Sequence, residues 1–383
     1  MKKVAVVTGT RAEYGILLPV LKAIQARREL KLLLVVTGMH LSRDFGYTVK
    51  EIEKDGFKID ARVDMLAADD TLGAMAKSVG QGIINMAQTW EKLKPDIIVV
   101  LGDRVEPLAA AISGAYMNIP IAHIHGGDVT GGSIDEFARH AITKFAHIHF
   151  PGTKKSAERI IKMGEDTWRV HMVGSPALDA ILNEKLLPPR DVIKKFGLDA
   201  SQPFILLVQH PVTTEVEQVK EQVTETLEAL VAIGYPVITL YPNSDAGGRK
   251  IIETIKRYEK KYPLFKILPS LPRREYLSLL KVARVLVGNS SSGMIDAPSF
   301  ALPVVNIGSR QEGRERGVNV IDVGYSRDEI AVAIKKALTD KRFLSKVEKC
   351  VNPYGDGKAG IRIAEVLAGI EKTPELIQKK ISY

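Results

Sequence analysis

Short runs of aliphatic and β-branched residues alternate along the 383-residue chain with longer stretches of helical periodicity. This alternation argues for an α/β fold built on parallel sheets. In the first half, Lys3–Val7, Leu32–Val36, Ile97–Leu101, Ile121–Ile124, His147–Phe150 and Val170–Val173 predict strands. Leu17–Ala26, Leu72–Leu93, Pro107–Met117 and Ile134–Phe145 predict helices. The strand runs are almost wholly apolar, as expected where helices cover both faces of a sheet. Pro188-Pro189-Arg190 interrupts the pattern and predicts a linker.

A second series follows, with strands expected at Phe204–Val208, Val237–Leu240, Val285–Val287, Val304–Asn306 and Val320–Val323. Helical stretches at Glu215–Ile233 and Glu275–Lys281 lie between them. The chain therefore reads as two Rossmann-like domains with parallel sheets facing a cleft. Residues 1–187 form the first, with a C-terminal helix at 370–383 expected to join it, and residues 188–369 form the second.

Composition narrows the class. With 45% apolar and 26% charged residues, wholesale disorder is excluded. No apolar stretch approaches the ~18 residues of a membrane span, and the four-residue run after Lys3 is too short for a signal-peptide core. A single cysteine, Cys350, rules out a disulfide framework and a multi-cysteine metal cluster. The expected location is the cytoplasm, with no membrane partner. The net charge is +9, yet residues 1–180 hold 23 basic and 21 acidic side chains, so the excess lies in the second half. No basic block is interleaved with aromatics, and aromatics are 6% of the chain. That disfavours nucleic acid and favours a phosphate-bearing small molecule.

Polar clusters follow nearly every predicted strand. In the first half they are Thr8-Gly9-Thr10-Arg11-Ala12-Glu13, Thr37-Gly38-Met39-His40, Gly102-Asp103-Arg104 and His125-Gly126-Gly127-Asp128. In the second half they are Gln209-His210-Pro211, Pro242-Asn243-Ser244-Asp245, Gly288-Asn289-Ser290-Ser291-Ser292-Gly293 and Gly308-Ser309-Arg310. Ligands of open parallel sheets bind beyond the carboxyl ends of strands. One such cluster is an ordinary polar loop; eight, rich in Arg, His and Asp, favour a site.

Gly288–Gly293 is the best phosphate candidate, because a strand, a Gly/Ser turn and a helix leave backbone N–H groups facing an anion. Ser290 and Ser291 add hydroxyls, although serine-rich turns also cap helices routinely. Asp296 lies in reach of a ribose diol or is an ordinary first-turn acid. Arg11 and Arg310 supply forked donors for a diphosphate, or form surface ion pairs. Neither a GxGxxG fingerprint nor a GxxxxGK[ST] loop is present, which lowers hydride transfer and ATP hydrolysis.

Five of the eight histidines fall between His123 and His149. His123/His125 and His147/His149 each share a strand face, but without a clear third ligand no metal is expected. His210, at a strand end before Pro211, suits acid/base work near neutral pH. Ser133-Ile134-Asp135-Glu136 reads as a capping box, with Asp135/Arg139 and Glu136/His140 as i,i+4 pairs. The preceding Gly131-Gly132 allows close backbone approach to a ligand, so one carboxylate can cap while its neighbour faces substrate.

Taken in order, Gly9-Thr10-Arg11-Ala12-Glu13-Tyr14, Gly102-Asp103-Arg104, His123-Ile124-His125-Gly126-Gly127, Ile134-Asp135-Glu136, Arg139-His140-Ala141-Ile142-Thr143-Lys144, Gln209-His210-Pro211-Val212-Thr213-Thr214 and Gly288-Asn289-Ser290-Ser291 resemble the hydrolysing UDP-N-acetylglucosamine 2-epimerases. The resemblance runs from residue 4 to about residue 320. Ala12 and Gly102-Asp103-Arg104 resemble the hydrolysing rather than the non-hydrolysing branch.

The resemblance implies a glycosyltransferase-B-like fold, with nucleotide held mainly by the second domain and sugar facing the first. It implies conversion of UDP-GlcNAc and water into ManNAc and UDP, for sialic acid synthesis, without metal or other cofactor. Arg11, Ser290, Ser291 and Arg310 would contact the diphosphate and Asp296 the ribose. Asp103, Asp135, Glu136 and His210 would be acid/base residues, with His40, Arg104, Arg139 and Asn243 near the ligand. A homodimer or dimer of dimers is expected. The family often carries Glu at position 296, and some members carry Glu at the position of His125, so His125 and Asp128 join the acid/base candidates.

The implied chemistry suits these residue types. Anti elimination would break the C1–O bond and remove the C2 proton, giving UDP and a 2-acetamidoglucal; hydration would then deliver the inverted centre. A base, a second acid/base group and cations for the leaving diphosphate are needed. Carboxylates at Asp103 and Asp135 would also stabilise an oxocarbenium-like ring. The alternatives are a GDP-linked or 2,4-diacetamido substrate, the non-hydrolysing epimerisation, a sugar transferase and a non-catalytic nucleotide-sugar sensor.

Overall fold

The computed structural model describes all residues except 44–46, 68–71, 130–133, 184, 213, 243–246, 270 and 383. The chain divides into two compact units, Met1–Asn183 with Tyr354–Tyr383, and Glu184–Pro353. In the first, strands β1 (Lys2–Thr8), β2 (Leu30–Thr37), β3 (Ile59–Val63), β4 (Ile97–Leu101), β5 (Ile121–Ile124) and β6 (Ile148–Phe150) form one parallel sheet in the order β3-β2-β1-β4-β5-β6. In the second, β7 (Ile205–Val208), β8 (Val237–Leu240), β9 (Phe265–Leu268), β10 (Val285–Gly288), β11 (Val304–Ile307) and β12 (Val320–Val323) repeat it as β9-β8-β7-β10-β11-β12. Both are doubly wound, with the strand order reversing beside β1/β4 and β7/β10, where such sheets open a crevice.

The central strands are buried on both faces. Val4, Val6, Val99 and Leu34 pack with Leu17, Val20, Leu21 and Ile24 of helix Arg11–Gln25. On the opposite face Ala5, Val35, Ile98 and Val100 pack with Met86 and Trp90. The Trp90 indole N–H donates to Ser113 Oγ at 2.9 Å, so this large buried ring leaves no unsatisfied donor. The second unit repeats the arrangement around Ile205, Leu207, Val285 and Val287.

Several expectations change. β3 and β9 were not foreseen; both are edge strands with one neighbour, and Ile59-Asp60-Ala61-Arg62-Val63 lacks the continuous apolar run of a central strand. Val170–Val173 is no strand: only Val170 bridges His149. The expected linker opens helix Pro189–Phe196 instead, with Pro189 at its first turn and Gly197 in the left-handed region (φ +58°) ending it.

The second domain also ends earlier than expected. Residues 354–369, assigned to it from sequence, belong to the first unit. Helix Ala359–Gly369 puts Ile363, Ala364 and Leu367 into the core around helix Arg11–Gln25. A Cβ at Gly360 would lie 2.9 Å from the Pro19 carbonyl carbon, so only glycine permits this approach. Buried Asp179 accepts from Ala359 N at 2.9 Å and Gly360 N at 2.6 Å, capping that helix from a distant part of the chain. Beyond it, among the described residues, only Pro374–Ile377 is helical. Lys379 secures the following segment through the Lys144 and Ala146 carbonyls and Glu165.

Among the described residues, no helix is long and apolar enough to cross a membrane.

Asp179→Ala removes two buried acceptors of orphan N–H groups. It is expected to lower stability by about 1–3 kcal/mol in urea unfolding, with Asp179→Asn recovering part of the loss. Burial raises the Glu165 pKa, but bonds from His149 and Lys144 and the charge of Lys379 outweigh it and bring the value down to about 2. Because the folded value lies below the ordinary 4.5, stability from Glu165 is present above pH 4.5 and lost as pH falls toward 2. Acid titration followed by circular dichroism should show a shallower loss in Glu165→Gln over that window.

Candidate functional site

The first unit gathers its candidates around one buried cation. Arg139 lies on the second turn of helix Ile134–Phe145 with its side chain 2% exposed. It donates to Asp103 Oδ2 at the end of β4, to Glu136 Oε2 at 2.7 Å and to the Asp128 carbonyl at 3.0 Å. A buried guanidinium is tolerated only when paired in this way. Asp103, Glu136 and Asp128 thus converge from three segments of sequence. Glu136 Oε1 also meets His140 Nε2 at 3.1 Å, so Glu136 and His140 make the expected helix pair while Glu136 serves Arg139 as well.

His125 adds a second group. It adopts the left-handed backbone region (φ +63°), rare for a side chain of this size. Its ring is fixed at both nitrogens: Nδ1 to Asp128 Oδ2 at 3.0 Å and Nε2 to Ser175 Oγ at 3.1 Å. Ser156 Oγ donates to the other Asp128 oxygen at 2.7 Å. Asp128, His125 and Ser175 therefore form a polar relay next to Arg139. Ser175 was missed from sequence because nothing near it marks it as reactive.

Other histidines have structural duties. His123 donates Nε2–H to the Gly102 carbonyl at 2.7 Å, and burial lowers its pKa to about 3. Neutral His149 donates to Glu165 at 3.1 Å. Burial likewise lowers His40 to about 4; its ring, fully buried, lies between Thr8 Oγ1 and Thr48 Oγ1 rather than open to a ligand. No group of three or more His, Cys, Asp or Glu suited to a metal occurs among the described residues.

Arg11 opens helix Arg11–Gln25, its side chain exposed and paired with Glu51 at 2.9 Å. Thr10 and Glu13 form a full capping box there, with Glu13 Oε2 accepting from Gly9 N at 2.9 Å. Half-exposed Arg104 lies 3.6 Å from Glu106, a buried acid with no assigned role in the sequence reading. The Asp135 side chain and all of Asn243 lie outside the described residues.

In the second unit, Asn289 ties two strand ends together. Its Oδ1 accepts from His210 N at 2.7 Å, and its Nδ2 donates to the His210 carbonyl at 2.9 Å. This links the ends of β7 and β10 at the switch point. Gly288, at φ +124°, packs so closely on the Val208 carbonyl that a side chain has no room. Arg310 and Gln311 both donate to the Asn289 carbonyl, at 3.2 and 2.9 Å. His210, Asn289 and Arg310 are thus one connected set, with Ser290 and Ser291 continuing from Asn289. Asp296 follows helix Ser292–Ile295; it is 8% exposed, and burial raises its pKa. Glu215 accepts from Ser309 and Tyr325 hydroxyls at 2.7 Å each and so anchors the loop carrying Arg310. Glu215 was expected inside a helix, which starts only at Val219.

These sites sit on a family scaffold. The profile of the family described as UDP-N-acetylglucosamine 2-epimerase matches residues 22–368, and the chain belongs to that family. A Legionella pneumophila protein named UDP-N,N'-diacetylbacillosamine 2-epimerase (hydrolyzing) is 40% identical, with all of both chains covered. A Campylobacter jejuni protein named GDP/UDP-N,N'-diacetylbacillosamine 2-epimerase (hydrolyzing) is 36% identical over 84% of each chain. The solved UDP-GlcNAc 2-epimerase of Neisseria meningitidis, bound to UDP-GlcNAc, superposes with a TM-score of 0.81 at 19% identity, covering 95% of this chain and 99% of that one. That similarity shows a shared glycosyltransferase-B-like fold of two parallel six-stranded sheets.

Replacing Arg139 by Leu leaves Asp103 and Glu136 without their common cation. Partial exposure of both acids moderates the loss, expected at about 2–3 kcal/mol in urea unfolding, with Arg139→Lys intermediate.

Proposed function

We propose that this protein is a hydrolysing nucleotide-sugar 2-epimerase that converts a UDP-linked 2-acetamido sugar and water into UDP and the free 2-epimeric sugar. A 2,4-diacetamido sugar is the substrate best supported, because two relatives matched over most or all of their length carry that specificity in their names. UDP-GlcNAc is the second reading, favoured by the name of the family.

The observation that carries the catalytic part is the convergence of the Asp103 and Glu136 carboxylates and the Asp128 carbonyl on one buried guanidinium. In the proposed reaction the C1–O bond breaks ahead of C2 deprotonation. The bonding electrons leave with UDP, a carboxylate takes the C2 proton, and the product is a glycal. Water then adds at C1 while a proton returns to C2 from the opposite face. Carboxylates held beside Arg139 suit both proton removal and stabilisation of the cationic ring. His125, fixed by Asp128, and His210 are the groups proposed to pass protons to and from water. Asp135 belongs to the same proposed set.

Charge on the departing diphosphate falls, in this reading, to Arg11, Arg310 and the turn carrying Ser290 and Ser291, with Asp296 toward the ribose. Arg104 and Asn243 are proposed to lie near the ligand. Electrostatic support of a leaving group acts where donors are already oriented, as Arg310 is through Asn289.

Incubation with UDP-GlcNAc, UDP-2,4-diacetamido sugar or the GDP analogue in deuterated water, followed by NMR, tests the reading. Free 2-epimer with deuterium at C2 plus free nucleoside diphosphate is expected, fastest for the UDP-linked diacetamido sugar. A 2-epimer still attached to nucleotide would show the non-hydrolysing reaction instead. Asp103→Asn is expected to cut kcat by at least about 100-fold in a folded protein. Arg310→Ala is expected to weaken UDP binding about 10-fold or more by calorimetry.

A further inference from the structure

A second group of acids lies under the turn that carries Arg11, on the opposite side of β4 from β5. Glu106, in the first turn of helix Val105–Tyr116, is fully buried and passes beneath the turns that end β1 and β2. A Cβ at Gly9 would fall 2.5 Å from its Cγ and 2.7 Å from its Cδ. A Cβ at Gly38, whose φ is +58°, would fall 2.8 Å from the same Cγ. The two glycines thus make the channel in which the Glu106 chain lies. Glu13 reaches the same place from helix Arg11–Gln25, with Oε2 held by Gly9 N and Thr10 N at 2.9 and 3.1 Å. Three carboxyl oxygens remain, Glu13 Oε1 and both of Glu106, all buried with no hydrogen-bond partner among the described residues.

Two adjacent buried carboxylates cannot both be ionised at neutral pH. One charge is well supported: Arg104 lies 3.6 Å from Glu106, the helix start favours an anion, and two N–H groups hold Glu13. A second charge has no such support. We propose that Glu13 and Glu106 share a single proton, and that this singly charged pair is a positioning element for the Arg11 and His40 turns and for Arg104. One proton neutralises one of the two carboxyls and leaves a single negative charge in the buried space. Burial and the Glu106 charge raise the Glu13 pKa to about 8, and burial also raises Glu106. His40, the other titratable group on the β2 turn, is neutral and adds no charge.

Above pH 8 the pair would gain a second negative charge beneath Arg11, opposing an anionic ligand. This last consequence rests on the proposed nucleotide-sugar function; the shared proton does not. Infrared spectra of the full-length protein at pH 7 test the proton directly. A protonated-carboxyl band is expected that disappears as pH passes about 8 and is missing in Glu106→Gln, where Glu13 keeps the charge alone. Glu13→Gln should remove the same band. A wild-type spectrum lacking it, or a band unchanged in both variants, overturns the proposal.

Calorimetric UDP affinity should fall about five-fold from pH 7 to pH 9 in the wild type and stay nearly flat in Glu106→Gln. An equal fall in both proteins overturns the positioning role. Absence of any UDP binding would refute the functional reading while leaving the infrared result to decide the proton. Since the folded Glu13 value lies above 4.5, thermal stability should decline as pH rises from about 5 to 8, less steeply in Glu106→Gln.

Discussion

Arg139 is a cation almost wholly removed from water, and that single fact constrains the upper part of the first sheet. A guanidinium so placed requires counter-charge and acceptors on most of its N–H groups. Asp103, Glu136 and the Asp128 carbonyl supply them, so the loops after β4 and β5 and the helix that starts near Ile134 are held in one arrangement. The same pairing holds acids close together, as proton transfer at a weakly acidic carbon demands.

A different solution operates under β1 and β2. Glu13 and Glu106 are buried too, but among the described residues only half-exposed Arg104 forms an ion pair there. Where Arg139 neutralises two acids with charge, this pair must do so with a proton. The glycines at 9 and 38 belong to the same device, because a side chain at either would occupy the volume that Glu106 fills. Neighbouring acid clusters in one unit thus meet different surroundings, a physical route to distinct roles for like residues.

The second unit repeats the sheet order with other side chains at its switch point. There the organising contact is the Asn289 amide, which satisfies both backbone groups of His210 while its carbonyl collects Arg310 and Gln311. Only a residue presenting donor and acceptor together can make that reciprocal bridge.

Much of this was legible in the chain. Central strands are long apolar runs because both faces are covered, and polar clusters follow them because binding loops sit at the carboxyl ends. Asp103 and Asp128 could be picked out on that positional rule, Glu136 and Arg139 through helix pairing and the ordered motifs, and those motifs pointed to the family that the comparisons show. Edge strands β3 and β9 escaped it, since Asp60, Arg62 and Lys266 interrupt their short apolar runs. The return of residues 354–369 to the first unit was also hidden, for it depends on Gly360 meeting Pro19 and on Asp179 capping a helix 180 residues away. Local pattern thus determined element type, sheet class and the residue types available for chemistry. Which carboxylates share a cation, which share a proton and which histidines are merely core was decided by the tertiary structure, because burial and neighbouring charge are properties of packing that sequence distance does not record.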